Sequence, residues 1–367
     1  LTNISLGVGS QIVGLLMKTV LGFGYYFLYK NYSVLNIENT VLTTFFLFLG
    51  VDFFYYWFHR ASHEINFLWA AHIVHHQSED YNLSVALRQS WIQGWFSWVF
   101  YLPLAVIGFE PTLFFTIAAF NTLYQFWIHT TTIKSLGPLE WIFNTPSHHR
   151  VHHGTNPKYI DRNHAGSLII WDRMFGTFIK EAEAPTYGIT TPLNSWNPVW
   201  ANVHYWKDLW RISKQAKGFD RILVFLKPPG WHPSYLGGFQ APQEIELSTY
   251  HKYDSDPLRQ KHFYTFFVFM TLLSVSTAVL FLKEQIPTIP LAATCLYILA
   301  TLSTFGGLME KQSWIIPVEY GRILFGLIIV FLCWEMPDFE KMLQYVALFS
   351  LLNLLWFSRV VKYIRHN

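Results

Sequence analysis

Three short runs of histidine define the chemistry this chain could do. His59-Arg-Ala-Ser-His63 places two imidazoles at i and i+4, while His72-Ile-Val-His75-His76 and His149-Arg-Val-His152-His153 each place three at i, i+3 and i+4. Residues three and four apart lie on one face of a helix, so each run is expected to project its rings toward one point. Imidazole is the commonest side-chain ligand of iron, zinc, copper and nickel. Eight rings are too many for one ion and suit two, with four each and positions left open. His129 ends an apolar run as His59 ends another, and adds a ninth candidate ligand. His148 points about 100° away from His149 and is expected beside the site rather than in it. His164 stays open between ligation and a hydrogen-bonding role. A lone histidine would be read as an interfacial residue or a proton relay; eight at helical spacing are read as metal ligands. One catalytic zinc takes only three protein ligands, so the count exceeds a zinc site. A nitrogen-rich site with open positions suits iron that binds O2, although all-histidine ligation alone leaves zinc and copper open.

The elements that must hold these rings are apolar. Of the 367 residues, 52% are hydrophobic, 19% aromatic and only 13% charged. A soluble domain carries about 25% charged residues, and a disordered chain has the opposite balance. Two cysteines exclude a disulfide scaffold, and a net charge of +3 is too small to argue for nucleic acid. Crossing a hydrocarbon core takes roughly 20 apolar residues. Eight runs come near that length: 6–29, 40–58, 91–109, 112–128, 262–282, 289–309, 323–334 and 342–357, the seventh being short. The fold expected is an all-α integral membrane protein with about eight transmembrane helices and a cytosolic helical cap that holds a histidine-rich di-metal site.

The expected division is two membrane spans in 1–58, a first cytosolic histidine segment in 59–90, a membrane hairpin in 91–128, a catalytic cap and connector in 129–261, and the last spans in 262–367. Residues 134–261 carry 15 Lys/Arg, and Arg359, Lys362 and Arg365 add to the same side, against Lys30, Lys283 and Lys341 opposite. The positive-inside rule then places both histidine segments and the C-terminus in the cytosol. The first run lacks the pattern of a cleaved signal peptide. The chain begins at Leu1 rather than Met, so a preceding piece is expected.

The spacing HxxxH, HxxHH and HxxHH, split by a membrane hairpin, resembles the fatty acid hydroxylase/sterol desaturase superfamily of membrane di-iron oxygenases. The words around the histidines narrow the resemblance to the branch that cleaves ether lipids with a reduced pterin. They include His63-Glu64-Ile-Asn66, Gln77-Ser-Glu79-Asp80-Tyr81-Asn82, Asn144-Thr-Pro-Ser-His148-His149 and Trp171-Asp172-Arg173-Met-Phe175-Gly176. The likeness covers about residues 40–200 and departs at His164, where a tyrosine is expected.

The resemblance implies two iron ions, tetrahydrobiopterin and O2 as co-substrate. The implied reaction hydroxylates the ether-linked carbon of an alkylglycerol, giving a fatty aldehyde and glycerol. The implied partners are a membrane lipid substrate and a pterin-recycling system or other electron donor, with no nucleic acid. The location is the endoplasmic reticulum membrane of a eukaryote or the cytoplasmic membrane of a bacterium. The alternative is a sterol, carotenoid, sphingolipid or fatty-acyl hydroxylase or desaturase fed by a protein donor; a metal transporter is more remote, because its site would lie at the bilayer midplane on broken helices.

Asp52 lies two helical turns before His59, and a carboxylate in a membrane helix is costly and usually functional. It is expected to accept the spare ring N–H of a ligand histidine, or else to make a helix–helix hydrogen bond. Asp172 is expected to support the ligands likewise. Glu64 is a candidate for catalysis and pterin binding, against a surface charge paired with Arg60. Asn82 and Trp171 are further pterin candidates, Trp171 together with Trp141, Phe143 and Phe175 as an aromatic platform that would serve equally as core.

Overall fold

In the computed structural model, residues 1–245, 250–254, 259–310, 312–332 and 340–365 are described. Their helices, in order, are α1 (Thr2–Tyr32), α2 (Val41–Glu64), α3 (Asn66–His76), α4 (Gly94–Ile107), α5 (Pro111–Trp127), α6 (Pro146–His152) and α7 (Ile170–Phe175). There follow α8 (Pro198–Gln215), α9 (Asp220–Leu226), α10 (Arg259–Leu282), α11 (Thr288–Met309), α12 (Ile315–Leu332) and α13 (Glu340–Arg365). No strand occurs among the described residues; one isolated bridge joins Phe143 and Leu168.

Two units divide the chain. One comprises Leu16–Leu193 and Asn202–Lys252 and contains every histidine run; the other comprises Leu1–Leu15, Asn194–Ala201 and Tyr253–Asn367. In the histidine-bearing unit, α2 starts at a reciprocal cap in which Thr43 N donates to Thr40 Oγ1 and Thr40 N to Thr43 Oγ1. It ends where Ile65 turns extended, and α3 begins at the next residue. That one-residue break folds α3 back, so the histidines at the end of α2 face those of α3. Asn66 fixes the corner, donating from Nδ2 to Val224 O at 2.8 Å and accepting from Tyr205 at 2.7 Å.

The hairpin of α4 and α5 turns at Gly108, whose φ is +118°. A Cβ there would stand 2.0 Å from Leu35 O, so only glycine fits. Glu110 then caps α5 by accepting from Thr112 N and Leu113 N. Tyr25, Leu47, Val51, Leu104 and Phe114 pack α1, α2, α4 and α5 together, burying side chains worth about 1.5–3 kcal/mol each.

Among the described residues three helices are long and apolar enough to cross a membrane, Val41–Glu64, Phe263–Gln285 and Thr288–Met309, or four if the two stretches of α1, Thr2–Leu15 and Met17–Tyr32, form one span. Eight were expected. Of the other runs, α4 has 14 residues and α5 has 17, roughly 21 and 25 Å at 1.5 Å per residue, against a ~30 Å core. The end of the seventh run, Cys333 and Trp334, lies outside the described residues. In the second unit α12 buries Glu319 and Arg322, which pair at 2.5 Å and are joined by Tyr264 and Tyr297.

Candidate metal centre

All nine candidate ligands converge, in two groups. His59, His63, His72, His76 and His152 form the first; His75, His129, His149 and His153 form the second. Within each group one nitrogen per ring lies within 4.8 Å of every other, and every ring is buried. His59 and His72 Nε2 are 3.0 Å apart, His72 and His76 Nε2 3.2 Å, His75 and His129 Nε2 3.3 Å, and His129 and His149 Nε2 2.9 Å. Two nitrogens each about 2.1 Å from one ion and at right angles to each other would be about 3.0 Å apart. The Nε2 atoms of His63, His152 and His153 are buried with no hydrogen-bond partner, a cost of about 1–3 kcal/mol each that ligation would relieve. These residues fit two transition-metal ions, five rings to one and four to the other.

The runs do not each serve one ion, as their spacing suggested. His72 and His76, four apart, join the first group while His75 joins the second; His149 and His153, four apart, join the second while His152 joins the first. Neighbouring positions diverge by about 100° on a helix, so each His-His pair straddles the two groups and ties them together.

Burial keeps these rings neutral, which is the ligating form. His72 and His129 are held down at about 4 by desolvation. His75, His76, His149, His152 and His153 lie well below the ordinary value, through burial first and then neighbouring imidazoles, or His164 as well for His152. Six Nδ1 atoms have oxygen partners that fix the tautomer and leave Nε2 for metal. His59 Nδ1 bonds His164 O at 2.7 Å, His63 Nδ1 bonds Asp161 Oδ1 at 3.1 Å and His152 Nδ1 bonds Arg162 O at 2.9 Å. His72 Nδ1 bonds Gln93 Oε1 at 2.9 Å, His75 Nδ1 bonds Arg88 O at 3.0 Å and His129 Nδ1 bonds Gln125 O at 2.7 Å.

Asp52 does not accept from a histidine ring; it makes the helix–helix hydrogen bond that was its other expectation, to Asn121 of α5. Its carboxylate takes Ser167 N at 2.7 Å, Leu168 N at 3.0 Å, Asn121 Nδ2 at 2.7 Å and Trp171 Nε1 at 2.9 Å. Four donors, two of them backbone amides far along the chain, saturate it and hold the segment entering α7 against α2. Gly166 makes that approach feasible, since a Cβ there would lie 2.8 Å from Asp52 Oδ1. Asp172, pushed up to about 6 by burial, accepts His164 N and Ala165 N at 2.8 Å and Thr177 Oγ1 at 2.6 Å. It therefore acts on His59 through the His164 peptide.

Glu64 is half exposed and bonds Arg60 at 2.8 Å, as a surface charge would. Asn82 caps a 3-10 turn by accepting from Ser84. Trp171 is committed to Asp52, and Trp141 is 68% exposed with Arg173 over its ring. The three pterin candidates are thus engaged separately. His148 is buried outside both groups. His164 is in neither, but is buried beside the first, 5.0 Å from His63 between ring centres.

The profile of the fatty acid hydroxylase family matches residues 44–177. The alkylglycerol monooxygenase of Xenopus tropicalis is 43% identical over 333 residues, 89% of this chain and 74% of the frog protein. That of Homo sapiens is 40% identical over 333 residues, 90% of this chain and 74% of the human protein. The chain belongs to the fatty acid hydroxylase family, in its alkylglycerol monooxygenase branch. An ornithine lipid hydroxylase of Rhizobium tropici is 31% identical over 128 residues, 35% of this chain and 39% of the bacterial protein. No solved structure matches. The chain is a membrane-type lipid hydroxylase, and its family match contains all nine grouped histidines.

Several residues of this hydroxylase's site had no signal among its titratable motifs. The turn 161–164 supplies three of the oxygens that orient the first group. Asp161 and Asn163 adopt φ of 56° and 55°, which Asp and Asn tolerate better than other side chains. Asn163 clasps Ile179 by donating from Nδ2 to its O and accepting its N, both at 2.8 Å. Arg88, buried, ties down α3 by donating Nε to Val74 O at 2.7 Å. Trp69 walls the first group, 4.9 Å from His63, and Tyr81 the second, 5.3 Å from His153 and stacked on Tyr187. The signal that could have marked this turn is the Asp161-Arg-Asn163 run, since Asp and Asn favour turns.

Proposed function

We propose that this chain is a di-iron monooxygenase that hydroxylates the ether-linked carbon of alkylglycerols, with tetrahydrobiopterin as electron source and O2 as co-substrate. The observation that carries the reading is the pair of buried imidazole groups, five and four, with ring nitrogens at the spacing of shared ligation. The named activity of the frog and human relatives supports the substrate class.

Two iron ions held there would supply O2 activation. The nine histidines hold and neutral-tautomer partners orient; Asp161, Gln93 and the carbonyls of Arg88, Gln125, Arg162 and His164 do the orienting. Trp69 and Tyr81 keep water from the rings, which strengthens the electrostatics inside. Per turnover, O2, two electrons and two protons insert one oxygen into a C–H bond and release one water. A hydroxyl on the carbon beside the ether oxygen makes a hemiacetal, whose C–O bond then breaks to leave fatty aldehyde and glycerol. Asp52 and Asp172 hold the polypeptide behind the first group instead of bonding a ligand ring, and Glu64, Asn82 and Trp171 are proposed pterin contacts.

The proposed insertion keeps all eight apolar runs in the bilayer and both histidine segments in the cytosol, at the endoplasmic reticulum of a eukaryote or the cytoplasmic membrane of a bacterium. The Lys/Arg bias supports that side. Tags at the C-terminus and within 134–160 should be reached from one side only; opposite access overturns the insertion.

The deciding experiment supplies iron-loaded protein with an alkylglycerol and O2, with and without tetrahydrobiopterin, and measures fatty aldehyde. Aldehyde that requires the pterin and no protein donor is expected. Turnover that ignores pterin and follows a ferredoxin or cytochrome transfers the chain to a protein-fed lipid hydroxylase, and metal analysis returning one ion or fewer overturns the di-iron reading.

A further inference from the structure

We propose that α8 and α9 carry a docking face for an anionic lipid surface. On α8 the exposed positions include Val203, Lys207, Trp210 and Lys214, spaced i, i+4, i+7 and i+11, a single stripe. The opposite side is spoken for, because Leu209 and Ala216 are buried with Ala70 and Val224. On α9 the inward residue is Val224, while Phe219, Ile222 and Leu226 are 66%, 53% and 49% exposed. An outward row of large apolar side chains on a short helix has no use in water.

The charge around the row selects the occupant. Residues 203–227 hold six Lys/Arg and two Asp. Both acids are engaged, Asp208 with Arg211 at 2.9 Å and Asp220 with the Tyr235 hydroxyl at 2.9 Å. The cations stand beside aromatic rings, with Lys214 Nζ 5.6 Å from the Trp210 ring centre and Lys217 Nζ 5.4 Å from that of Tyr235. Aromatic and aliphatic tips bounded by long cationic stems match the acyl boundary below and the phosphates above, since lysine and arginine reach outward while their stems lie on apolar surface. An acidic protein would satisfy the charges but leave Phe219, Ile222 and Leu226 without a matching depth, so the occupant is a lipid surface.

The test places a bimane fluorophore on full-length protein carrying Phe219→Cys with Cys295→Ser and Cys333→Ser. The protein is reconstituted into vesicles of brominated phosphatidylcholine with or without phosphatidylserine. Bromine quenches only a label that enters the acyl region. Quenching that deepens with phosphatidylserine is expected. Lys207→Gln, Lys214→Gln and Lys217→Gln should each lower the ratio of docked to free label about fivefold. Iron content unchanged across the variants keeps misfolding apart from undocking. A label that stays bright on phosphatidylserine vesicles overturns the proposal. So does quenching that is equal on both vesicles and unmoved by the three substitutions, or energy transfer between labels on two chains, which would mean a second copy covers the face.

Discussion

Replacing Asp172 by Asn should remove one metal ion and spare the other. Asp172 uses both carboxylate oxygens: Oδ1 accepts His164 N at 2.8 Å and Thr177 Oγ1 at 2.6 Å, and Oδ2 accepts Ala165 N at 2.8 Å. Asparagine offers one oxygen, so its NH2 must face a backbone N–H. One buried donor is left unpaired, at about 1–3 kcal/mol, and the remaining bonds lose the charge that makes them about twice as strong as neutral ones. The peptide displaced is the one whose carbonyl holds His59 Nδ1 at 2.7 Å, and losing such a partner typically weakens metal affinity 10–100-fold. The second group takes its orienting oxygens from Arg88 and Gln125, which do not touch Asp172.

The assay is a chelator titration of iron-loaded protein with a metal count at each step. The variant should pass through a plateau of about one ion per chain at chelator concentrations 10–100-fold below those that strip the wild type. Thr177→Val removes one bond from the same carboxylate and leaves both backbone amides paired, so it should cost only about 0.5–1.5 kcal/mol of stability and lose its first ion at the wild-type chelator concentration. Loss of both ions together at the wild-type concentration, or survival of the first-group ion, would refute the reasoning.

His149→Ala should abolish aldehyde production and lower metal content, and His148→Ala should do neither to the same degree; the reverse order in paired assays would mean the register of α6 is misjudged. His164→Ala should retain most of the iron, because the backbone carbonyl and not the ring holds His59; loss of an ion would make the ring a ligand. Arg322→Met leaves Glu319 buried without its counter-charge, beside the Tyr264 hydroxyl, and should cost about 3–5 kcal/mol, read as a fall in melting temperature that adding Glu319→Gln largely reverses. The metal-free protein should be acid-sensitive. His72 and His129 are held at about 4 against an ordinary 6.5, so the folded chain binds fewer protons than the unfolded one between those values. Stability should therefore fall as the pH drops from 6.5 to 4, by about 3 kcal/mol per ring, and a metal-free melting temperature that stays flat over that interval would contradict it.

Ligands were legible because metal chemistry demands a side-chain type, and nine imidazoles at helical spacing have few other uses. Their sorting was legible in principle too. The step of about 100° between His75 and His76, or His152 and His153, sends neighbours to different ions, and reading each run as one unit concealed it. The oxygens behind the rings were not legible, since four of the six are main-chain carbonyls, and a carbonyl carries no residue identity. Asp52 was recognised as purposeful, and of its two expected partners the helix–helix one is present, in Asn121 of α5. The two backbone donors to Asp52 lie 115 and 116 residues away in sequence, and helical register relates it only to its own turn. Span number is legible only in part for a related reason: apolar composition shows what tolerates lipid, while the turns at Gly108 and Glu110 set how long α4 and α5 become.

The two groups differ in what holds them, and the difference predicts an order of assembly. In the second group, His129 Nδ1 bonds a carbonyl one turn back on the same helix end, and His75 bonds the carbonyl of Arg88, whose own guanidinium grips α3. These partners form with the helices. In the first group, His59, His63 and His152 depend on the 161–164 turn, whose two left-handed residues stay in place through Asp172 and the Asn163 clasp on Ile179. That turn lies about a hundred residues from α2, so its closure loses chain entropy that the helix-borne contacts do not. Three rings and the turn then support one another: the turn orients the rings, and an ion bridging the rings would hold the turn. Metal binding and local folding are coupled wherever a site is not preformed. The second group should therefore fill first and empty last, and hydrogen exchange of the 161–165 amides should slow only when the second equivalent of metal is added, while the α3 amides are already protected after the first.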